Sequence, residues 1–93
     1  MRMIEEKTWH VYLLECKDGS IYTGVAIDVV ARFAVHCAGK GARYTRAHPP
    51  LKILASLACD DQATALRTEM RIKKMRATAK RIYVDKLMAV ERA

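Results

Sequence analysis

Two runs near the start of the chain, TWHVYLLE at 8–15 and SIYTGVA at 20–26, are rich in β-branched and aromatic residues, with apolar side chains at odd and even positions alike. They flank CKDG, a strong turn signal, and predict a hairpin whose sheet is covered on both faces. A three-residue loop Lys17-Asp18-Gly19, with Gly19 supplying the left-handed conformation, sets Cys16 opposite Ser20, so that facing residue numbers sum to 36. Tyr12 then faces Gly24 and Tyr22 faces Leu14, which puts both tyrosines on one face as diagonal neighbours, with open space left beside the Tyr12 ring by Gly24. A two-residue loop would place them on opposite faces.

Downstream, Asp28 caps a predicted helix from about Val29 to Cys37, with Val29, Val30 and Phe33 as its apolar side. AGKGARYTRAHPP at 38–50 carries too much Gly and Pro for a regular element and reads as a loop. In LKILASLA, positions 51, 53, 55 and 57 alternate with Lys52 and Ser56, the pattern of a third strand following Pro49-Pro50. Asp60 or Asp61 caps a helix running to about Met75, and Thr78 caps a last one, at about 79–91, that carries Tyr83, Leu87 and Val90. The order β-β-α-β-α-α describes an α+β fold, a small three-stranded antiparallel sheet with helices packed on it. With no repeat, linker or low-complexity tract, residues 1–93 are expected to form one domain.

Charge narrows the partners. Seventeen Lys and Arg against ten acids give a net charge of +7, and residues 67–81 hold seven basic residues and one acid. A second basic group, Lys40, Arg43 and Arg46, lies in the Gly-containing loop. Either cluster alone is as well explained by solvated helix and loop surface; together they favour a polyanion, with nucleic acid first. The three cysteines are widely spaced, with no Cys-x-x-Cys pair and no zinc pattern, so reduced thiols are expected. With no signal-peptide pattern and no apolar run of spanning length, the expectation is a cytoplasmic protein without a membrane partner.

Candidate chemistry starts from the tyrosines. Two same-face tyrosines are more often packed core than a catalytic pair. Arg32 and His36, spaced i,i+4, share a helix face, although Arg32 also suits an ion pair with Asp28 and His36 the helix dipole. Glu69, the single acid of the basic stretch, borders the apolar face of its helix, where a carboxylate needs a neighbouring arginine or a metal. Tyr83 reads as core, His10 as structural and His48 as a loop residue.

HVYLL at 10–14 with YTG ten residues after the first tyrosine, followed in order by DVVARFAVH, GARYTRAHPP and ALRTEMRIKKM, resembles the GIY-YIG nucleases, above all their short bacterial single-domain members. The likeness spans Trp9 to about Met75, and departs from the name-giving motifs in reading His-Val-Tyr and in placing Thr23 where isoleucine stands. It implies hydrolysis of DNA phosphodiesters assisted by one divalent metal ion, Mg²⁺ or Mn²⁺, with structure-selective or weakly sequence-selective cutting and a role in repair or recombination. Carried over by position, Tyr12 and Tyr22 match the motif tyrosines, Arg32 the helix arginine, His36 the polar residue one turn later and Glu69 the metal-ligand glutamate. Tyr12 is then the expected base, its pKa lowered by a nearby cation or metal, with Tyr22 and His36 orienting water and phosphate. Lys40, Arg43, Tyr44, Arg46, Lys73, Lys74 and Arg76 are the expected nucleic-acid contacts. Branched, flapped or duplex DNA are the candidate substrates, RNA stays open, and a protein partner can supply targeting. The alternatives are a catalytically silent nucleic-acid-binding module of the same fold and, more remotely, a domain that docks on an acidic protein.

Overall fold

The computed structural model describes residues 7–92. Strand β1 (Trp9–Cys16) turns through Lys17–Gly19 into β2 (Ile21–Ala26). Gly19 has φ +87°, and Cys16 N–H donates to the Ser20 carbonyl at 2.9 Å, closing the expected three-residue loop. The register follows: Tyr12 pairs with Gly24 and Leu14 with Tyr22. Strand β3 (Pro50–Cys59) adds antiparallel to the other side of β1, giving the order β2-β1-β3 and leaving the Pro50 end on an edge, where a missing N–H is tolerated.

Alternation in β3 does not put 51, 53, 55 and 57 on one face. The register against β1 slips by one between Leu13 and Leu14 and again between Glu15 and Cys16. Each slip inserts a residue and exchanges faces, so Leu54, Ala55 and Leu57 pack on one side of the sheet and Ile53 on the other, while Leu51 is 55% exposed.

Helix α1 (Val29–Cys37) is capped as expected, Asp28 Oδ1 accepting from Ala31 N–H at 3.0 Å. Its buried side is Val29 with Phe33; Val30 points to solvent at 72% exposure. Gly39, at φ +76°, ends the helix and its N–H donates to the His36 carbonyl. The segment expected to be all loop then contains a one-turn helix, α2 (Arg43–Ala47). Its glycines lie before the turn and its prolines after it, and the Ala-Arg-Tyr-Thr-Arg-Ala stretch between them is free to coil. Helix α3 (Gln62–Lys73) starts at the Asp61 cap, and α4 (Ala77–Arg92) begins early enough that Thr78 sits inside its first turn instead of capping it.

The two faces of β1 feed two cores. Val11, Leu13 and Ile21 pack with Ala65 and Ile72 of α3 and Val84 of α4. On the opposite face Tyr12, Leu14 and Ala26 pack with Val29, and Tyr22, Phe33 and Ile53 close around them. Each buried Val, Leu or Ile contributes about 1.5–3 kcal/mol. Helix α4 is also pinned to the hairpin by polar contacts, Arg81 reaching Glu15 at 2.9 Å and the Gly19 carbonyl at 3.0 Å. The α1 face thus carries the tyrosines, and the α3–α4 face stiffens the strands beneath them.

Candidate active site

Tyr12 lies in the central strand and is 1% exposed; Tyr22, on the edge strand, is half-buried, and their ring centroids are 6.2 Å apart. The space expected beside Gly24 is taken by Tyr12 itself: a Cβ on Gly24 would stand 2.5 Å from the Tyr12 hydroxyl oxygen. The diagonal placement and the glycine together let the phenol lie down against β2 and turn its hydroxyl toward α1.

There it meets His36. The Tyr12 hydroxyl is 2.8 Å from His36 Nε2, and His36 Nδ1 is 2.7 Å from Thr45 Oγ1. Thr45 spends its single proton on the Ala42 carbonyl at 3.0 Å, so it can only accept from the ring. Neutral His36 is therefore protonated on Nδ1 and accepts at Nε2 from the Tyr12 hydroxyl. A histidine 1% exposed with both nitrogens engaged is no mere complement to the helix dipole. Burial, and after it the Arg32 charge, push its pKa below the ordinary 6.5, which favours the neutral ring. The loop that delivers Thr45 passes over the ring so closely that a Cβ on Gly41 would strike His36 Nδ1.

Tyr12 itself is not acidified. Burial, followed by Tyr22, raises its pKa to about 12, and Arg32 offsets this only in part. Arg32, the nearby cation, does not bring that pKa below the ordinary 10, and the phenol is protonated and already bonded to an acceptor. Arg32 is exposed one turn before His36 and makes no ion pair with Asp28, whose carboxylate is spent on the cap.

Tyr22 packs 5.1 Å from His36 and 5.9 Å from Tyr44, centroid to centroid. Tyr44, 38% exposed, stacks in turn on His48 at 4.2 Å. His48 also bridges to Asp18 in the hairpin turn, whose carboxyl the Ser20 side chain and then His48 hold far below the usual range. Thr45, His48 and Asp18 were not legible as site residues, because the contacts that make them so join the loop to elements up to 30 residues away.

Glu69 pairs with Lys73 at 3.3 Å, not with an arginine, and its side chain is 14% exposed. It lies close enough to oppose ionisation of Tyr12. Among the described residues no cluster of three metal-ligating side chains exists, but one partly buried carboxylate with an oxygen free of ion pairs and hydrogen bonds suits Mg²⁺, which keeps most of its waters. Lys73 reaches the tyrosine cluster through a shared cavity with Tyr22 and Tyr44. Lys40, Arg43, Arg46, Lys74 and Arg76 are exposed, and none of them lines that cavity.

A hairpin presenting two tyrosines to a helix that carries arginine and histidine, with a glutamate on a later helix, is the arrangement of a nuclease-type fold. The GIY-YIG catalytic domain family matches residues 8–82. A UPF0213 protein of Cupriavidus necator is 45% identical over 91 residues, covering 98% of this chain and 99% of that one. A UPF0213 protein of Streptococcus agalactiae is 44% identical over 75 residues, 81% of this chain and 85% of its own. The solution NMR structure of a UPF0213 protein from Bacillus halodurans superimposes with a TM-score of 0.53 at 41% identity, covering 84% of this chain and 83% of that one. The chain belongs to the GIY-YIG family, among its UPF0213 proteins.

Proposed function

We propose that the protein is an endonuclease that hydrolyses DNA phosphodiester bonds with one divalent metal ion, selecting DNA structure more than sequence and serving repair or recombination. The observation that carries the proposal is the buried chain from Tyr12 through His36 and Thr45 to the Ala42 carbonyl. A buried phenol needs a partner for its hydroxyl in any core, but here the partner is the acceptor nitrogen of a neutral imidazole, a base that can take the proton.

Hydrolysis requires a water to lose a proton as its oxygen bonds to phosphorus and the bond to the leaving oxygen breaks. A phenol with a pKa raised to about 12 cannot wait as phenolate near neutral pH. Tyr12 instead passes its proton to His36 Nε2 as it takes one from water, and His36 becomes a cation whose Nδ1–H remains on Thr45. Arg32 donates to the non-bridging oxygens as negative charge builds on the phosphate. Tyr22, wedged between His36 and Tyr44, orients the water and the phosphate. A metal ion held by Glu69 would neutralise charge at the phosphate and its leaving oxygen when bound. The exposed Lys40, Arg43, Arg46, Lys74 and Arg76 supply contacts to the backbone that carry no sequence information.

The test is cleavage of labelled single-stranded, duplex, flapped and four-way-junction DNA with Mg²⁺ or Mn²⁺, scoring binding in the same samples. Tyr12→Phe and Glu69→Ala are expected to lose about 10²-fold or more in rate while still binding. Binding without metal-dependent cleavage of any substrate would overturn the endonuclease in favour of a silent binding module.

A further inference from the structure

Beside the tyrosines, on the outer side of β2, lies a cavity that the proposed chemistry does not use. It measures about 280 Å³ and is lined by Ile21, Tyr22, Thr23, Tyr44, Lys73 and Lys80. Tyr22 and Tyr44 also belong to the aromatic cluster around His36, so the cavity adjoins the candidate active site directly.

Its charge is lopsided. Lys80 of α4 is only 6% exposed, and its ammonium donates to the Ile21 carbonyl at 3.0 Å. That carbonyl engages one of the three ammonium N–H groups, and among the described residues no carboxylate pairs with Lys80. Burial, and next the charge of Lys73, depress the pKa of Lys80. An anion between the two lysines would relieve both effects at once. Thr23 adds a neutral donor, being 1% exposed with a buried hydroxyl that has no hydrogen-bond partner. Lys73 already pairs with Glu69 at 3.3 Å, but the bond to an edge carbonyl gives Lys80 no counter-charge and leaves the Thr23 hydroxyl unpaired.

We infer that this cavity is the subsite for a second backbone phosphate of the substrate strand, adjacent to the phosphate being cut, with Lys80, Lys73 and Thr23 as its donors and Tyr22 and Tyr44 as the wall against the sugar. The ligand's identity rests on the nucleic-acid reading above; the phosphate-ester chemistry of the cavity stands on the residues themselves. A chain-end phosphomonoester presents the same chemistry as an internal diester, so the test separates the two.

The first probe is inorganic phosphate added to the full chain at constant ionic strength, with chloride as control, followed by NMR shifts of backbone amides and lysine ammonium groups. Saturable shifts are expected at Ile21, Thr23 and Lys80, absent in Lys80→Met and retained in Glu69→Ala. The second probe is a trideoxynucleotide with two diester phosphates, compared without divalent ions with its two single-methylphosphonate forms. Neutralising the phosphate that fills the cavity should weaken binding about tenfold in the wild type and clearly less in Lys80→Met. Since Lys80→Met also breaks the bond to Ile21, Thr23→Val serves as a second variant that removes only the unpaired hydroxyl and should shrink the same penalty. Phosphate shifts scattered over the surface, or a methylphosphonate penalty unchanged in both variants, would overturn the subsite. So would a 5′-phosphorylated dinucleotide that binds as tightly as the trinucleotide while both methylphosphonates are neutral, since the ligand would then be a chain end. Cleavage is read in none of these arms, so failure of the nuclease reading registers in a different experiment.

Discussion

At the scale of single residues, the site depends on two glycines that hold no side chain out of the way of two rings. Gly24 gives its volume to the Tyr12 hydroxyl and Gly41 to the His36 imidazole. Gly24→Ala would put a methyl 2.5 Å from that hydroxyl and 2.6 Å from the ring carbon bearing it. Tyr12 is 1% exposed and must shift to relieve that contact, so strain and the loss of its bond to His36 come together. We expect a stability loss of about 1–3 kcal/mol, measured by urea unfolding, together with a fall in cleavage rate larger than that destabilisation explains. Unchanged cleavage in a folded Gly24→Ala protein would mean that the placement of the Tyr12 hydroxyl does not matter. The glycine was legible in the sequence as the partner of Tyr12; which atoms fill its space was not, because that depends on the tilt of the phenol.

At the scale of elements, what the sequence showed and what it hid divide by range. The hairpin, its register and the Asp28 and Asp61 caps rest on neighbouring residues, and their turn and capping chemistry is local. The bulges in β3 arise only from its pairing with β1, so simple alternation assigned Ile53 and Leu57 to one face when they lie on two. Helix α2 was concealed by the glycines and prolines on either side of it, although its importance is considerable: it lifts Thr45 onto His36 and Tyr44 against Tyr22. Tyr12, Tyr22, Arg32, His36 and Glu69 could be picked out by motif, but the link from His36 to Thr45 could not, since a threonine in a polar loop carries no signal of its own. Thr45→Val keeps the shape and removes the hydroxyl, leaving His36 Nδ1–H without its acceptor. The expected cost is about 1–3 kcal/mol in urea unfolding, with slower cleavage because the imidazole is no longer held in one tautomer. A neutral effect on both would remove α2 from the account.

At the scale of the whole molecule, a buried neutral histidine ties stability to pH. The folded-state pKa of His36 lies below its ordinary value of 6.5, so in acid the unfolded chain binds the extra proton more readily than the folded one. Its contribution is complete above about 6.5 and is lost as pH falls from there through the depressed folded-state value. Urea midpoints of the wild type should therefore decline over that interval, and the decline should be smaller in His36→Asn. Equal slopes in the two proteins would show that His36 is not the group responsible. The net charge of +7 acts on the same scale by a different route, drawing polyanions to a surface from which the exposed Arg32 and Lys73 reach the tyrosine cluster.

All of this turns on which nitrogen of His36 carries the proton, and ¹⁵N NMR of the histidine rings across a pH series reads that directly in the free protein. The expected result is a neutral His36 near pH 7 with its proton on Nδ1, Nε2 shifted as an acceptor from Tyr12, and protonation only below the ordinary 6.5. A ring protonated on Nε2, or already cationic at neutral pH, would leave Tyr12 with no acceptor for its proton and contradict the mechanism at its centre.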